Sequence, residues 1–488
     1  MLEMIMGVTK MKKWRPISLI FITFFLFPII IYGLNLEGKK GLNTMRVELV
    51  HRHDPRFNVN NTNKTQLERI KEFAHRDSIR YSMISQRKEG KNHSHDHRRK
   101  ARESSFVMPI QGGRDFRIGE YFVQVKVGTP SQKFWLIADT GSDLIWFNCR
   151  YGCGRNCSTH KGRSKIKNRR VFLPERSATF EKVACSSDTC QVQLINLFSS
   201  TTCPNPSDPC QYAYEYVDQS TAFGFFANDV VTVGLRNGRK HKLRNMIIGC
   251  TQSITDGPTV NGGIDGVLGL SYSKDSFAVK AAIQYGGKFS YCLVDHLSHR
   301  NFFNHLSFGD DPVHHTKLLS HMRLTKLVKT DIYFAVNVLG ISIGGQMLNI
   351  PGEVWEVNSN GGTILDSGTT LTILARPAYD SVMAALAKSL MKYERLPRSD
   401  ALEFCFNAKG FDESSVPRLA IHFADGARFE PPVKSYVIDS APGERCLGFL
   451  PANGPGYSII GNIMQQNHLW EFDLFQSTVR FAPSSCIL

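Results

Sequence analysis

Two short segments of this chain carry the same arrangement of residues able to do proton chemistry. Phe134 to Phe147 reads FWLIADTGSDLIWF, and Gly362 to Leu374 reads GTILDSGTTLTIL. Each places an apolar strand, then Asp-Thr/Ser-Gly-Ser/Thr, then a second apolar run. The paired carboxylates are Asp139 and Asp366, 227 residues apart. Held about 3 Å from one another, two carboxylates cannot both ionise readily, so they share one proton and titrate in two coupled steps. The ionised partner can then deprotonate a water that attacks a peptide carbonyl, while the protonated partner supports the oxyanion and the leaving nitrogen. That chemistry requires no metal, cofactor or covalent intermediate. The neighbouring residues suit it. Gly141 and Gly368 permit a tight turn. Thr140 and Ser367 can hydrogen-bond across a junction, and Ser142 and Thr369 can hold the outer carboxylate oxygens.

Either tetrad alone reads equally well as an ordinary turn. The repeat argues otherwise, because each copy has a later echo: VLGL at Val267 to Leu270 and IIGN at Ile459 to Asn462. Duplication of order as well as content implies two lobes, each donating one carboxylate. The elements that must position them are mainly β. Tyr121 to Val127, Phe134 to Ala138, Asp229 to Val233, Met246 to Ile248, Phe334 to Ile343 and Tyr436 to Ile438 read as strands. Arg376 to Tyr393 and Ser276 to Tyr285 read as accessory helices.

The chain has 488 residues and a formal charge of +16. That charge is concentrated at the front: +3 over residues 1–34, +9 over 35–118 and only +4 over the remaining 370. A weakly charged main body argues against nucleic acid as partner of the mature protein. Residues 1–34, with Lys10, Lys12, Lys13 and Arg15 before the apolar run Ile17 to Leu34, read as a secretory signal or a retained signal anchor. Residues 35–118 read as a basic prosegment with one amphipathic stretch at Leu67 to Ile84. A basic segment over an acidic site is held by ion pairs at neutral pH and released when its partners protonate. The twelve cysteines fit an oxidising compartment. Zinc is the alternative for Cys149, Cys153, Cys157, Cys185 and Cys190. Asn60, Asn63, Asn92 and Asn156 head glycosylation sequons.

From about Gly119 to Leu488 the chain resembles the pepsin-like aspartic proteases, and most closely the plant atypical, nepenthesin-like group. The residues that carry this are Gly119 to Trp146, the cysteine-rich stretch to Cys210, VLGL, FSYCL (Phe289 to Leu293), GGTILDSGTTLT and SIIGN. HRHDP at His51 to Pro55 is similar to prosegments of that group. The resemblance implies a bilobal, mainly β fold with an active-site cleft between an N-terminal lobe (119–312) and a C-terminal lobe (313–488). It also implies a flap hairpin carrying Tyr216 over the cleft, in contact with Trp146. Val217 and Gln219 replace the glycines usual at the flap tip. Six disulfides are implied: Cys149–Cys153, Cys157–Cys250, Cys185–Cys210, Cys190–Cys203, Cys292–Cys486 and Cys405–Cys446. The activity implied is that of an acid endopeptidase, monomeric, acting on polypeptides, inhibited by its own prosegment and routed through the secretory pathway to the apoplast or vacuole. A signal-anchored endomembrane form and a plastid remain alternative destinations. A catalytically inactive binding or inhibitor protein of the same fold is the alternative activity.

Overall fold

The computed structural model describes residues 45–51, 66–92 and 121–486, with gaps of which the largest are 152–169, 216–220, 235–239, 255–264, 295–303 and 310–320. The described chain is mainly β. Strand β1 is Met45–His51, helix α1 is Gln66–Asn92, and strands β2, β3 and β4 are Tyr121–Val127, Gln132–Asp139 and Ile145–Asn148. In β2 the odd-numbered Tyr121, Val123, Val125 and Val127 are buried in the main core while Gln124 and Lys126 on the other face are half-buried; Phe122, also on that face, is buried in a second cluster with Ile137 and Trp146. β2 and β3 form a hairpin in register from Phe122 opposite Ile137 to Val127 opposite Gln132.

Each half of the chain repeats one motif around its Asp. Gly266–Gly269 runs parallel to β3 and is clasped antiparallel by β4. Ser458–Ile460 runs parallel to Thr363–Leu365 and is clasped antiparallel by Thr372–Leu374. The echoes in the sequence are therefore the strands that pair with the Asp-bearing strands. Their glycines follow from how closely the segments cross. A Cβ on Gly269 would stand 2.5 Å from the Asp143 carbonyl carbon, and one on Gly461 would stand 2.2 Å from the Leu371 carbonyl oxygen. No side chain fits at either crossing.

The two halves share a ribbon of six antiparallel strands. In order they are β1, Asn304–Phe308, Lys288–Cys292, His468–Asp473, Thr478–Pro483 and Arg323–Val328. At its middle Phe289 stacks on Phe472 with ring centroids 4.7 Å apart. Strand β1 closes one edge of this ribbon and also pairs with β2, so a strand of the leading region is part of the sheet.

Most expected elements fall inside observed ones, with one break. The run Phe334 to Ile343 divides into Ala335–Val336, paired with Ile364 and Thr363, and Val338–Ile343, paired with Leu419–Phe423. The chain changes sheets at Asn337, whose carbonyl accepts from the Ala424 N–H. Helix Phe277–Gln284 begins at Ser276, whose hydroxyl accepts from the Val279 N–H at 3.2 Å. Helix Arg376–Leu390 buries Tyr379, Val382, Met383, Leu386 and Leu390. The amphipathic stretch belongs to α1, which buries Ile70, Phe73, Ala74, Tyr81 and Ile84 against Ile332, Ile364, Ile373, Ile438 and Tyr457.

Four expected disulfides are corrected. Cys149 pairs with Cys250, not Cys153, and Cys250 is thereby unavailable to Cys157. The cause is β pairing: Phe147 lies beside Cys250 in a parallel ladder and the Cys149 N–H donates to the Thr251 carbonyl, which leaves the two Cα atoms 5.0 Å apart. Cys153 and Cys157 lie outside the described residues. Cys185 pairs with Cys203 and Cys190 with Cys210, the reverse of the expected exchange. All four belong to one knot, where the sulfurs of Cys190 and Cys203 approach to 3.2 Å without bonding, so the direction of each side chain and not sequence spacing selects the partner. Cys292–Cys486 and Cys405–Cys446 join as the resemblance implies.

A methyl group at the tighter crossing must displace backbone. Gly461→Ala is predicted to lower stability by about 1–3 kcal/mol, measured by urea unfolding, whereas Gly352→Ala, with open space around it, is predicted to leave the midpoint unchanged.

Candidate active site

Asp139 closes β3, and Asp366 follows directly on the Thr363–Leu365 strand. Both backbones are held by the echo segments. The Leu270 N–H donates to the Asp139 carbonyl at 2.8 Å, and the Asp366 N–H donates to the Ile460 carbonyl at 3.2 Å. The loops beyond are fixed alike: Ser271 N–H to the Ser142 carbonyl at 3.0 Å, Asn462 N–H to the Thr369 carbonyl at 2.7 Å.

The two loops grip each other through their hydroxyl residues. The Thr140 N–H donates to Ser367 Oγ at 3.1 Å, and the Ser367 N–H donates to Thr140 Oγ1 at 2.8 Å. Each hydroxyl then donates onward, Thr140 to the Leu365 carbonyl at 3.2 Å and Ser367 to the Ala138 carbonyl at 2.9 Å. Both N–H groups and both hydroxyls of this buried pair thereby have partners, which burial demands.

The carboxylates are positioned symmetrically. Ser142 Oγ donates to Asp139 Oδ2 and Thr369 Oγ1 to Asp366 Oδ2, both at 2.6 Å. The Gly141 N–H donates to Asp139 Oδ1 at 2.9 Å and the Gly368 N–H to Asp366 Oδ1 at 2.8 Å. The glycines have a different cause from the turn first expected, since neither has a positive φ. A Cβ on Gly141 would lie 2.8 Å from Asp366 Oδ2, and one on Gly368 would lie 2.3 Å from Asp139 Oδ1. Glycine is required because the opposite carboxylate lies across it.

One cation meets both acids. Arg80 of α1 donates through Nε to Asp366 Oδ2 at 2.6 Å and through one terminal nitrogen to Asp366 Oδ1 at 3.0 Å. The same nitrogen donates to Asp139 Oδ1. Burial pushes the Asp139 carboxyl above its ordinary value; Arg80 pulls it back, and the charge of Asp366 pushes it up. Burial opposes the charge on Arg80, but the two carboxylates outweigh it and hold the guanidinium well above its usual value. Tyr291 is held up mainly by burial, with Asp366 adding to it.

Sequence reasoning treated the cations of the leading region as a diffuse cover, and Arg80 was missed. The signal that could have found it is its position, on the side of α1 that also carries the buried Tyr81 and Ile84. Trp146 is buried among Tyr212, Tyr214 and Val267. Tyr216, which follows the strand Gln211–Glu215 in sequence, lies outside the described residues, as do Asn60, Asn63 and Asn156. Asn92 is the last residue of α1. The ligand-type clusters among the described residues, Cys185–Cys190–Cys203 and Cys405–Glu444–Cys446, have their sulfurs in disulfides. No helix among the described residues is long and apolar enough to cross a membrane.

Two family models, described as xylanase inhibitor N-terminal and xylanase inhibitor C-terminal, match residues 121–310 and 333–483. The chain is similar to aspartyl protease family protein 2 of Arabidopsis thaliana, 32% identical over 87% of this chain and 83% of that protein. It is also similar to aspartic proteinase nepenthesin-1 of Nepenthes gracilis, 31% identical over 75% of this chain and 78% of that protein. Among solved structures it shares its fold with soybean basic 7S globulin, with a TM-score of 0.58 and 19% identity over 75% of this chain and 92% of the globulin. Lupine conglutin gamma gives 0.59 and 18% identity over 75% and 91%. The chain belongs to the pepsin-like aspartic protease family.

Ser367→Ala would leave the buried Thr140 N–H and Ala138 carbonyl without their partner. It is predicted to destabilise the protein by roughly 1–3 kcal/mol in chemical unfolding, while Ser414→Ala, whose hydroxyl is exposed, is predicted to leave the midpoint in place.

Proposed function

We propose that this chain is an aspartic endopeptidase made as a precursor, in which a water held between Asp139 and Asp366 hydrolyses peptide bonds once α1 has left the site. The observation that carries the reading is the pair of symmetrically held carboxylates joined by one grip, with a single guanidinium against both. With Arg80 gone, the like charges drive the pair to share one proton. Ser142 and Thr369 fix the outer oxygens, leaving the inner ones for water. The ionised carboxylate takes the water's proton as its oxygen attacks the scissile carbonyl. The other carboxyl gives its proton toward the developing oxyanion, and the nitrogen is protonated as the C–N bond breaks. Thr140 and Ser367 hold the two acids at a constant separation while the protons move.

Residues 35–118 act in this reading as an intramolecular inhibitor. Residues 1–34 direct the chain into the secretory pathway, toward the apoplast or vacuole, and the mature enzyme works as a monomer on polypeptides. Acid releases the inhibitor for a definable reason. The contacts of Arg80 with Asp139 and Asp366 attract only while the acids are ionised, and burial, opposed by Arg80, already holds Asp139 above its ordinary value. Protonation of the pair as pH falls removes that attraction and with it the electrostatic hold on α1.

The xylanase inhibitor descriptions favour one second reading, a binding or inhibitor protein without peptidase activity. The two are separated by hydrolysis of a denatured protein at acid pH. The enzyme reading predicts cleavage that a statin-containing peptide blocks and that Asp139→Asn reduces by at least a thousandfold; absent cleavage, or cleavage indifferent to both, supports the binding protein.

The linkage gives a further expectation. Arg80→Met is predicted to move the onset of precursor conversion to higher pH, followed by the mass of the chain across a pH series. An unchanged onset would remove Arg80 from the inhibitory contact.

A further inference from the structure

A second charged residue of α1 faces the C-terminal half. Asp77 is 2% exposed, on a helix side that also carries the buried Ile70, Phe73, Ala74, Tyr81 and Ile84. A carboxylate buried among apolar side chains is unfavourable unless its oxygens are hydrogen-bonded. Here each oxygen accepts a backbone N–H: Oδ1 from Thr370 at 2.8 Å, and Oδ2 from Leu371. Those donors stand four and five residues beyond Asp366, on the loop that carries it.

We propose that Asp77 is a positioning residue, the register pin that places Arg80 on the carboxylate pair. The proposal rests on the reading of α1 as an inhibitory helix. Its hydrogen bonds tie α1 to the loop beyond Asp366, so Asp77 acts through where it puts the helix. Residues 77 and 80 are three apart, on one face and about 4.5 Å apart along the axis at about 1.5 Å per residue. A slip of one residue would rotate that face by about 100° and carry the guanidinium off the acids. The match is also directional. The loop offers N–H donors at one point and a carboxylate at the other, and the helix answers with an acceptor and a cation in the corresponding order. A helix docked in the opposite sense would bring the guanidinium to the donors and a carboxylate to Asp366, and both contacts would repel. Apolar packing fixes that α1 lies here; Asp77 fixes its direction and register.

A pin and the group it positions depend on one another, whereas two independent anchors would add. The test is a double-mutant cycle on the full-length precursor at neutral pH, read as hydrogen-exchange protection of the α1 backbone and so independent of peptidase activity. Asp77→Asn and Arg80→Met are each predicted to speed α1 exchange by tenfold or more, and the double variant is predicted to do so by much less than the product of the two. Asp77→Glu covers the case in which the Asn variant does not fold. It keeps the charge and both acceptor oxygens but lengthens the arm, and is predicted to speed α1 exchange and to raise the pH at which the precursor converts. Unchanged protection in Asp77→Asn, or single effects that multiply in the double variant, would overturn the pin. Unchanged protection in Asp77→Glu would do the same. A cycle with the predicted coupling in a protein that never hydrolyses peptide would keep the pin and remove the peptidase reading.

Discussion

Two carboxylates that repel one another are held at the crossing of two buried loops, and the rest of the structure serves that arrangement. Each acid has two hydrogen-bond donors from its own loop, so neither can rotate away from the other. What relieves the repulsion decides the state of the protein. In the structure it is the guanidinium of Arg80, which contacts both acids. In the proposed active state it is a shared proton, and the acids then become a base and an acid. In the proposed function the same electrostatic demand accounts for a closed form at neutral pH and a reactive form at low pH.

Duplication meets the geometric demand economically. Each Asp loop is held by an echo strand that runs parallel to the Asp-bearing strand and supplies its backbone partners. Glycines stand where side chains would obstruct the crossing, at Gly269 and Gly461 in the echoes and at Gly141 and Gly368 in the loops. The grip between Thr140 and Ser367 then joins the halves at one point, and the six-stranded ribbon joins them at another. Because β1 completes that ribbon while α1 covers the acids, the leading region is integrated at two places.

The acids, their hydroxyl neighbours and the strand-rich fold were legible in the sequence because strand periodicity and a repeated tetrad are local signals. The same is true of helix Arg376–Leu390, whose apolar spacing runs its whole length. Three features were not legible, each because it depends on distant segments meeting. The disulfide partners of Cys149 and Cys190 follow from ladder register and side-chain direction. The reason for Gly141 and Gly368 is the acid of the other half, which no local rule contains. Arg80 and Asp77 looked like two charges among many on a basic segment, and only their place on the buried side of α1 distinguishes them. A charged pair one turn apart on an apolar helix face is the pattern that sequence reasoning should have weighed.

The central claim is that one intact carboxylate pair is present and that α1 occupies it. It is tested most directly by calorimetric titration of a statin-containing peptide into the protein before and after acid processing. The account predicts no binding to the precursor at neutral pH and one site per chain after processing. Equal binding before and after would show that α1 does not occupy the acids, and no binding to the fully processed chain would show that they do not form a working pair.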